Sequence, residues 1–333
     1  MQILVTGGAG YIGSHTAVEL LDAGYDIVIV DNFSNSKPEV LDNIKAITER
    51  DFLFYEADVR DRGALKGIFD ENQIEAAIHF AGYKAVGESV QEPLKYYHNN
   101  ILSSLVLCET MAEFDCRKIV FSSSATVYGN PERVPISEDF PLSTTNPYGS
   151  TKLMIENILR DLYNSDNRWS IALLRYFNPA GAHQSGLIGE NPNGIPNNLM
   201  PYITKVAKGE LACLNVFGND YPTKDGTGVR DYIHVVDLSK GHIKALEKIS
   251  GEEGVYTYNL GTGKGYSVLD MVTAFQKTTG QKVPYRIAPR RPGDIAECFA
   301  DPAKAKRELG WSAKLGIEEM CADAWRYIKG SSF

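Results

Sequence analysis

Apolar residues along this chain come in short runs, and each run is followed by a stretch with apolar positions at helical spacing. The first run covers Ile3 to Thr6, the helical stretch after it covers Ile12 to Leu21, and a second run covers Asp26 to Val30. Further runs of this kind lie at Phe52–Ala57, Ala76–Ala81, Lys118–Ser122 and Ile171–Leu174. Strands that alternate with helices predict an α/β fold with a Rossmann-type, doubly wound parallel sheet.

The pattern changes after Asn178. The segment from Pro179 to Pro201 is rich in Gly, Pro and Asn, which predicts a loop that borders a ligand site or opens a second domain. A length of 333 residues suits about two domains of the usual ~150 residues. We predict a Rossmann-type domain over residues 1–177, joined by a returning segment near 225–250, and a smaller α/β domain over residues 178–333.

Composition narrows the class of protein. The net charge of −8, with no run of Lys or Arg, argues against a nucleic-acid partner. No apolar run is long enough to span a bilayer, and no signal peptide precedes the first strand, so we expect no membrane partner. Five cysteines without a CxxC pair indicate reduced thiols and a cytoplasmic location. The six histidines show no metal-ligand spacing, so we expect no metal.

The first predicted strand runs directly into a glycine-rich turn. Gly7, Gly10 and Gly13 separate it from the helix, and Asp31 follows Gly13 by 18 residues at the end of the second strand. Glycines let the backbone approach a pyrophosphate, and the start of a helix offers free N–H groups and a positive dipole end. Asp31 can accept from both ribose hydroxyls and would repel a 2′-phosphate. This spacing predicts NAD rather than NADP.

A Tyr–Lys pair lies at the start of another predicted helix. Asn146 and Pro147 form a helix start, and Tyr148 and Lys152 follow it four residues apart, on one face of the helix. A lysine cation beside the tyrosine hydroxyl would favour the phenolate. Ser122 to Ser124 end the strand just upstream, so the sequence places three hydroxyls near this pair.

Two arginines further along are candidates for binding phosphate. Arg230 lies in Gly228-Val229-Arg230-Asp231-Tyr232, and Arg291 lies between Arg290 and Pro292. Arginine forks suit phosphate oxygens. The glycine-rich Gly261–Gly265 lacks the spacing of a P-loop and instead predicts a tight turn, with Ser267 as the N-cap of the next helix.

Together these residues resemble the extended short-chain dehydrogenase/reductase superfamily and, within it, the UDP-galactose 4-epimerase family. The resemblance runs from Val5 to about Trp325. It rests on the glycine motif, Ser122–Gly129, Tyr148-x-x-x-Lys152, Arg175–Pro179, Phe80–Ser89 and Gly228–Val235. It implies a homodimer that binds NAD in the domain over residues 1–177 and a UDP-hexose in the domain over residues 178–333.

The resemblance also implies site residues. The implied NAD contacts are Gly7, Gly10, Tyr11, Ile12, Gly13, Asp31, Asn32, Phe33, Ser34, Asn35, Ser36, Asp58, Val59, Phe80, Ala81, Gly82, Tyr83, Lys84, Asn99, Ser122, Ser124, Tyr148, Lys152 and Phe177. The implied UDP-sugar contacts are Ser124, Tyr148, Asn178, Asn198, Leu199, Asn215, Val216, Phe217, Arg230, Arg291, Asp294 and Cys298. The arginines would take the diphosphate, Asp294 the uridine ribose and Phe217 the uracil.

The hypothesis for the reaction places Tyr148 as general base on the C4 hydroxyl while hydride leaves C4 for the nicotinamide. The 4-keto sugar then rotates to present its other face to the nicotinamide, and it takes the hydride back on that face. A free tyrosine has a pKa of ~10, so we expect Lys152 and the nicotinamide cation to lower that of Tyr148. Ser124 would relay the proton or stabilise the developing oxyanion.

Two other functions fit the same fold. A nucleotide-sugar 4,6-dehydratase needs an acid beside the serine site, where this chain has Ser124-Ala125-Thr126. A non-catalytic NAD-binding scaffold would not need Ser124, Tyr148 and Lys152 together.

Cys298 departs from the family pattern. Strictly galactose-selective bacterial relatives carry a bulky tyrosine at the corresponding position, where it narrows the sugar pocket. A cysteine there predicts room for a 2-acetamido group, so that UDP-GlcNAc and UDP-GalNAc interconvert as well. The alternative is a buried cysteine that fills space.

Overall fold

A computed structural model describes residues 1–192, 196–291 and 293–330. Its strands are β1 (Gln2–Thr6), β2 (Asp26–Asp31), β3 (Leu53–Glu56), β4 (Ile74–His79), β5 (Lys118–Ser124), β6 (Ser170–Tyr176), β7 (Asn178–Ala180), β8 (Leu214–Phe217), β9 (Val229–His234), β10 (Gly254–Leu260), β11 (Gly265–Ser267), β12 (Tyr285–Ala288) and β13 (Glu297–Cys298). Its helices are α1 (Tyr11–Asp22), α2 (Glu39–Thr48), α3 (Arg62–Glu71), α4 (Val86–Gln91), α5 (Pro93–Glu113), α6 (Pro147–Ser165), α7 (Leu199–Lys208), α8 (Val235–Gly251), α9 (Val268–Thr279), α10 (Ala303–Leu309) and α11 (Ile317–Gly330). A 3₁₀ turn covers Ala125–Tyr128.

The large sheet has the strand order β10-β6-β5-β4-β1-β2-β3, and neighbouring strands pair in parallel. Its central strands are continuous apolar runs, such as Ile3-Leu4-Val5, because helices cover both faces. The predicted doubly wound α/β fold is confirmed. β5 extends two residues beyond its predicted end, since Ser124 still pairs with Tyr176 on β6.

β10 is absent from the sequence prediction. It mixes polar and aromatic residues (Tyr256, Thr257, Tyr258, Asn259) and lies far along the chain from its partner β6. The chain reaches it through α8, which packs against α1 of the first half. The predicted division into two domains stays a prediction, and β10 adds residues 254–260 to the returning segment.

The second half of the chain forms a smaller α/β unit. β9 pairs with β7 and β13 in parallel and with β11 in antiparallel orientation, and β8 pairs with β12. Helices α7, α9 and α11 enclose an apolar cluster that includes Ile203, Met271, Phe275 and Met320. Ser267 caps α9 as predicted, in a capping box with Asp270.

This arrangement gathers the polar strand ends at one edge. The carboxyl ends of β1, β4, β5 and β6 lie side by side because parallel strands share a direction. The segment that contains β7 follows β6 directly, so it leaves the sheet at that same edge. The loop predicted from Pro179 to Pro201 is wrong at both ends, because β7 extends to Ala180 and α7 begins at Leu199. Within it, residues 193–195 lie outside the described residues, as does Pro292.

Candidate active site

The turn between β1 and α1 has no room for a side chain at Gly7 or at Gly13. Gly7 has a φ of +70°, and a Cβ there would lie 2.8 Å from the Ala81 nitrogen. A Cβ on Gly13 would lie 2.2 Å from the Gly7 oxygen. Gly10, at the N-cap of α1, makes no side-chain cap, so the first N–H groups of the helix face the turn. Tyr11 and Ile12 begin that helix. The turn thus forms a backbone cradle suited to a pyrophosphate.

Asp31 closes the second strand with a buried carboxylate. Its Oδ2 accepts from the Ala9 N–H at 3.0 Å, while its Oδ1 accepts from the Phe33 N–H at 2.9 Å and the Ser36 hydroxyl at 2.8 Å. Asp31 therefore ties the glycine turn to the segment Asn32–Ser36. A carboxylate has about four acceptor positions, so one remains, which serves one ribose hydroxyl and not the two that the sequence predicted.

Asp58 lies beside this segment at the end of β3. It accepts from the Asn32 amide at 3.1 Å and from both ends of the Arg60 fork at 2.7 and 2.9 Å. The hydrogen bonds from Arg60 are the main cause that lowers the pKa of Asp58 to about 2, so the group is an acceptor only. Val59 next to it is buried.

The segment Phe80–Lys84 follows β4 and is held by a residue that the sequence prediction missed. Asn100, which is buried, accepts from the Tyr83 N–H at 2.8 Å and donates to the Tyr83 oxygen and to the Thr151 hydroxyl. The predicted Asn99 donates to the Asn100 side chain at 3.1 Å. An amide at helical spacing from the apolar Tyr96, Leu107 and Met111 was the available signal. Asn100 links the cofactor side to helix α6, one residue before Lys152.

Helix α6 begins as the sequence predicts. The Asn146 side chain accepts from the Gly149 N–H at 2.9 Å, and Pro147 occupies the first turn. Tyr148 and Lys152 then face β5. The Lys152 Nζ donates to the Ser122 main-chain oxygen at 2.6 Å and lies 5.9 Å from the centre of the Tyr148 ring.

Ser124 completes the trio. Its Oγ accepts from the Thr126 N–H at 3.2 Å and from the Thr126 hydroxyl at 3.0 Å, so its own proton remains for donation. A hydrogen bond with Ser124 lowers the pKa of Tyr148, yet burial outweighs it and raises that pKa to about 12. Burial also lowers the pKa of Lys152 to about 7. The protein's own groups thus shift Tyr148 in the direction opposite to the one expected, because desolvation dominates.

The sequence prediction also missed a buried ion pair, between Glu156 on α6 and Arg175 on β6, next to Ser124, Tyr148 and Lys152. Glu156, one turn after Lys152, accepts from Arg175 Nε at 2.9 Å and Nη2 at 2.7 Å, and from the Ser123 hydroxyl at 2.6 Å. Both charged side chains have 1% exposure or less. They fix α6 against β5 and β6. An acid on the apolar face of the helix was the available signal.

The predicted sugar-nucleotide residues lie on β7, α7, β8 and β9 and near β13. Arg230 donates through Nη1 to the oxygens of Val229 and Ile295, which leaves the rest of its fork for a ligand. The Arg291 guanidinium lies 4.8 Å from the Phe217 ring centre and pairs with Asp294 at 2.9 Å. Phe217, Arg291 and Asp294 therefore form one cluster.

Other predicted contacts have restricted side chains. Arg286 donates to the Asn215 side chain at 2.7 Å, and Val216 and Leu199 pack into the apolar cluster of the smaller unit. Such residues can contact a ligand through main-chain groups. Asn178 lies on β7, and Asn198 precedes α7. Tyr232, which the sequence prediction missed, is buried near Arg230 and Arg291, and burial raises its pKa to about 12.

Cys298 joins the two groups of predicted residues. It pairs with Arg230 across β13 and β9, and it packs with the buried Phe177 at the end of β6. Burial raises the pKa of its thiol to about 11, so the group is neutral. No cluster of His, Cys, Asp and Glu suited to a metal occurs among the described residues. Within the described ranges, no helix has both the length and the apolar character needed to cross a membrane.

Comparisons with known proteins identify the family. A family model described as GDP-mannose 4,6 dehydratase matches residues 4–324. A UDP-glucose 4-epimerase from Bacillus subtilis (strain 168) is 70% identical over 98% of this chain and 96% of its own length. The chain belongs to the UDP-glucose 4-epimerase family. The predicted activity, NAD-dependent C4 epimerisation of UDP-hexoses, is confirmed by this membership.

Solved structures of the epimerase family support this assignment. The UDP-glucose 4-epimerase from Bifidobacterium longum, in complex with NAD+ and UDP, is 55% identical, covers 99% of this chain and 98% of its own, and has a TM-score of 0.96. The enzyme from Stenotrophomonas maltophila, with bound NAD and formylated UDP-arabinopyranose, is 50% identical with the same coverages and a TM-score of 0.97.

Proposed function

We propose that Tyr148 performs the proton transfers of this epimerisation, assisted by Ser124 and Lys152. The observation that carries the assignment is their convergence at one sheet edge, next to the glycine turn. Tyr148 takes the proton of the C4 hydroxyl while hydride leaves C4, and it returns the proton after the 4-keto sugar has turned over. Ser124, with both acceptor positions filled by Thr126, donates to the oxygen that gains charge.

The residues of the first half fit NAD. The backbone cradle of Gly7 and Gly13 excludes side chains where a pyrophosphate would lie, and Asp31 keeps one acceptor position for a ribose hydroxyl. The other proposed contacts are the predicted residues at the ends of β3 to β6, together with Asn99. Bound NAD supplies the acceptor and later the donor of the hydride at C4.

The Lys152 cation supplies the positive charge that Tyr148 needs. Since the pKa of Tyr148 is raised to about 12, its phenolate forms near neutrality only with a cation close by. Burial lowers the pKa of Lys152 to about 7, and its hydrogen bond to the Ser122 oxygen holds the ammonium 5.9 Å from the centre of the Tyr148 ring. Lys152 acts through its charge and its position, while Tyr148 carries the proton.

We further propose that the second half holds the UDP-hexose. Arg230 and Arg291 bind the diphosphate, Asp294 the uridine ribose and Phe217 the uracil, with Asn178, Asn198, Leu199, Asn215 and Val216 around the sugar nucleotide. The cluster of Phe217, Arg291 and Asp294 supports this placement. Cys298 leaves more space than a tyrosine would, so UDP-GlcNAc and UDP-GalNAc are also substrates.

One assay tests these roles. Purified protein is incubated with UDP-galactose without added NAD, and both epimers are followed. The wild type is expected to interconvert them with the NAD that it retains. Tyr148→Phe should fold normally and lose activity by orders of magnitude. Tyr163→Phe, on the same helix, serves as the matched control.

The outcomes separate the rival functions. Near-normal activity of Tyr148→Phe excludes the proposed base. A 4-keto product that has lost one water would indicate a dehydratase. NAD binding without conversion of any UDP-hexose would indicate a scaffold.

We also propose a cytoplasmic homodimer. Helices α4, α5 and α6 pack together and carry exposed apolar residues on one side of the sheet. These are Val86, Val90, Leu94, Leu105 and Met154. A second copy of the chain would bury this surface.

A further inference from the structure

Glu190 is a buried acid that the proposed mechanism does not use. It lies in the segment between β7 and α7, and its side chain is 8% exposed. Its Oε1 accepts two hydrogen bonds, one from the Lys84 ammonium at 2.7 Å and one from the Asn198 amide at 2.6 Å. A single carboxylate oxygen therefore joins two residues from different halves of the chain.

Those two residues belong to different parts of the site. Lys84 follows β4 in the segment assigned to NAD, and Asn198 precedes α7 in the segment assigned to the UDP-sugar. Their link through Glu190 is direct, because both donors share the same acceptor atom. The following inference rests on the proposed function, in which Lys84 and Asn198 contact these two ligands.

The orientation of Asn198 is determined by Glu190. Asn198 occupies the N-cap position of α7, where an asparagine side chain ordinarily accepts from the first helical N–H groups. Here it makes no such cap. Its Nδ2 donates to Glu190 instead, which turns the amide oxygen away from the carboxylate and leaves it available to accept from a ligand.

The three side chains differ in freedom. The Lys84 side chain is 45% exposed, whereas Glu190 is buried. The Glu190 Oε2 is also buried and has no hydrogen-bond partner among the described residues. Lys84 is thus the partner that can move. If its ammonium moves toward another acceptor, Glu190 Oε1 accepts one hydrogen bond fewer and keeps only the one from Asn198.

We propose that Glu190 is a positioning residue that couples the cofactor site to the substrate site, by holding Lys84 and Asn198 on one carboxylate oxygen. When the Lys84 ammonium turns toward a cofactor oxygen, Oε1 binds Asn198 alone and holds its amide in the orientation that meets the sugar nucleotide. When the Asn198 amide oxygen engages a substrate, its Nδ2 stays on Oε1, and that oxygen then attracts Lys84 less strongly and releases it toward the cofactor. Each ligand then affects the affinity for the other.

The test is a set of variants of the NAD-loaded enzyme, assayed with UDP-galactose. Glu190→Gln keeps the shape but removes the charge that attracts Lys84. It is expected to raise KM ~10-fold with kcat changed less than ~3-fold. It should also slow the loss of NAD on dialysis, because Lys84 is then free to bind the cofactor. Glu318→Gln removes an exposed carboxylate that pairs with Lys277 and is expected to change neither.

A double-mutant cycle isolates the coupling. Lys84→Met leaves Oε1 to Asn198 alone and should lower the KM for UDP-galactose, whereas Asn198→Ala leaves Oε1 to Lys84 alone and should speed the loss of NAD. In the Glu190→Gln background both cross-effects should disappear. If Lys84→Met leaves the KM for UDP-galactose unchanged and Asn198→Ala leaves the loss of NAD unchanged, the two sites are independent and the inference is overturned. This result is decisive even if Glu190→Gln does not fold. A wild type without epimerase activity overturns the proposed function instead.

Discussion

The Lys152 ammonium donates to the Ser122 main-chain oxygen at 2.6 Å and lies 5.9 Å from the centre of the Tyr148 ring. The lysine is thus anchored to β5, and its charge acts on the tyrosine across a short gap. The lysine is buried in this position. The folded protein therefore carries a cation with a lowered pKa.

Lys152→Met tests the charge and its effect on stability. Activity should fall at least ~100-fold, since the phenolate loses its cation. The folded pKa of Lys152 is about 7, below the ordinary 10.5, so the unfolded chain binds more protons between these values and wild-type stability rises with pH across them. The methionine variant lacks this rise.

Urea unfolding at pH 6.5, 8 and 9.5 measures the difference. Relative to the wild type, the free energy of unfolding of the variant should gain most at pH 6.5, by up to about 5 kcal/mol, and this gain should fade toward pH 10.5. A constant difference between the two proteins at all three pH values contradicts a buried lysine with a lowered pKa.

Asp31→Asn tests the cofactor site. The amide keeps the size of the side chain but replaces one acceptor oxygen by a donor, which opposes the Ala9, Phe33 or Ser36 donors and the ribose. We expect the fraction of protein that retains NAD after purification to fall several-fold. The absorbance ratio at 260 and 280 nm measures it. Asp26→Asn, exposed at the start of the same strand, should retain NAD fully.

Glu156→Gln tests the buried ion pair that joins helix α6 to strand β6. Removing the carboxylate leaves Arg175 buried with a poor partner, so the free energy of unfolding should fall by about 3 kcal/mol. Replacing the pair together, with Glu156→Leu and Arg175→Met, should recover much of this loss. If the free energy of unfolding falls equally in the single and the double variants, the unpaired Arg175 is not the cause of the loss.

Cys298→Tyr tests the sugar pocket. The larger ring should abolish the interconversion of UDP-GlcNAc and UDP-GalNAc and leave that of UDP-galactose and UDP-glucose within a few-fold. Cys298→Ala, which keeps the pocket open, should retain both activities. A wild type without N-acetylhexosamine activity contradicts the proposed role of this position.

Leu94→Glu tests the homodimer. Leu94 is 80% exposed on α5, and a carboxylate there opposes burial by a second copy. Light scattering should change from the mass of a dimer to that of a monomer. Leu53→Glu, exposed on the edge strand β3, should not change the mass. A monomeric wild type removes the proposal.

The elements predicted from the sequence were those with a local signal. The strand-glycine-helix unit at Gly7–Gly13 and the cap at Asn146 depend on neighbours within a few residues, so their pattern is visible in the chain. The sequence did not predict β10 because its partner β6 is distant along the chain and because β10 mixes polar and aromatic residues. Asn100, Glu156 and Tyr232 escaped because their importance comes from contacts that only the folded chain creates.

Helix α6 carries its functional and anchoring side chains four residues apart, at Tyr148, Lys152, Glu156 and Arg160. Arg160 extends the series to Thr257 on β10. A helix turns ~100° per residue, so gaining or losing one residue between Tyr148 and Glu156 would rotate the base away from the sheet edge while the ion pair stayed in place. The length of this helix is therefore more strictly constrained than most of its side chains, and related sequences can diverge here by substitution but not by insertion or deletion.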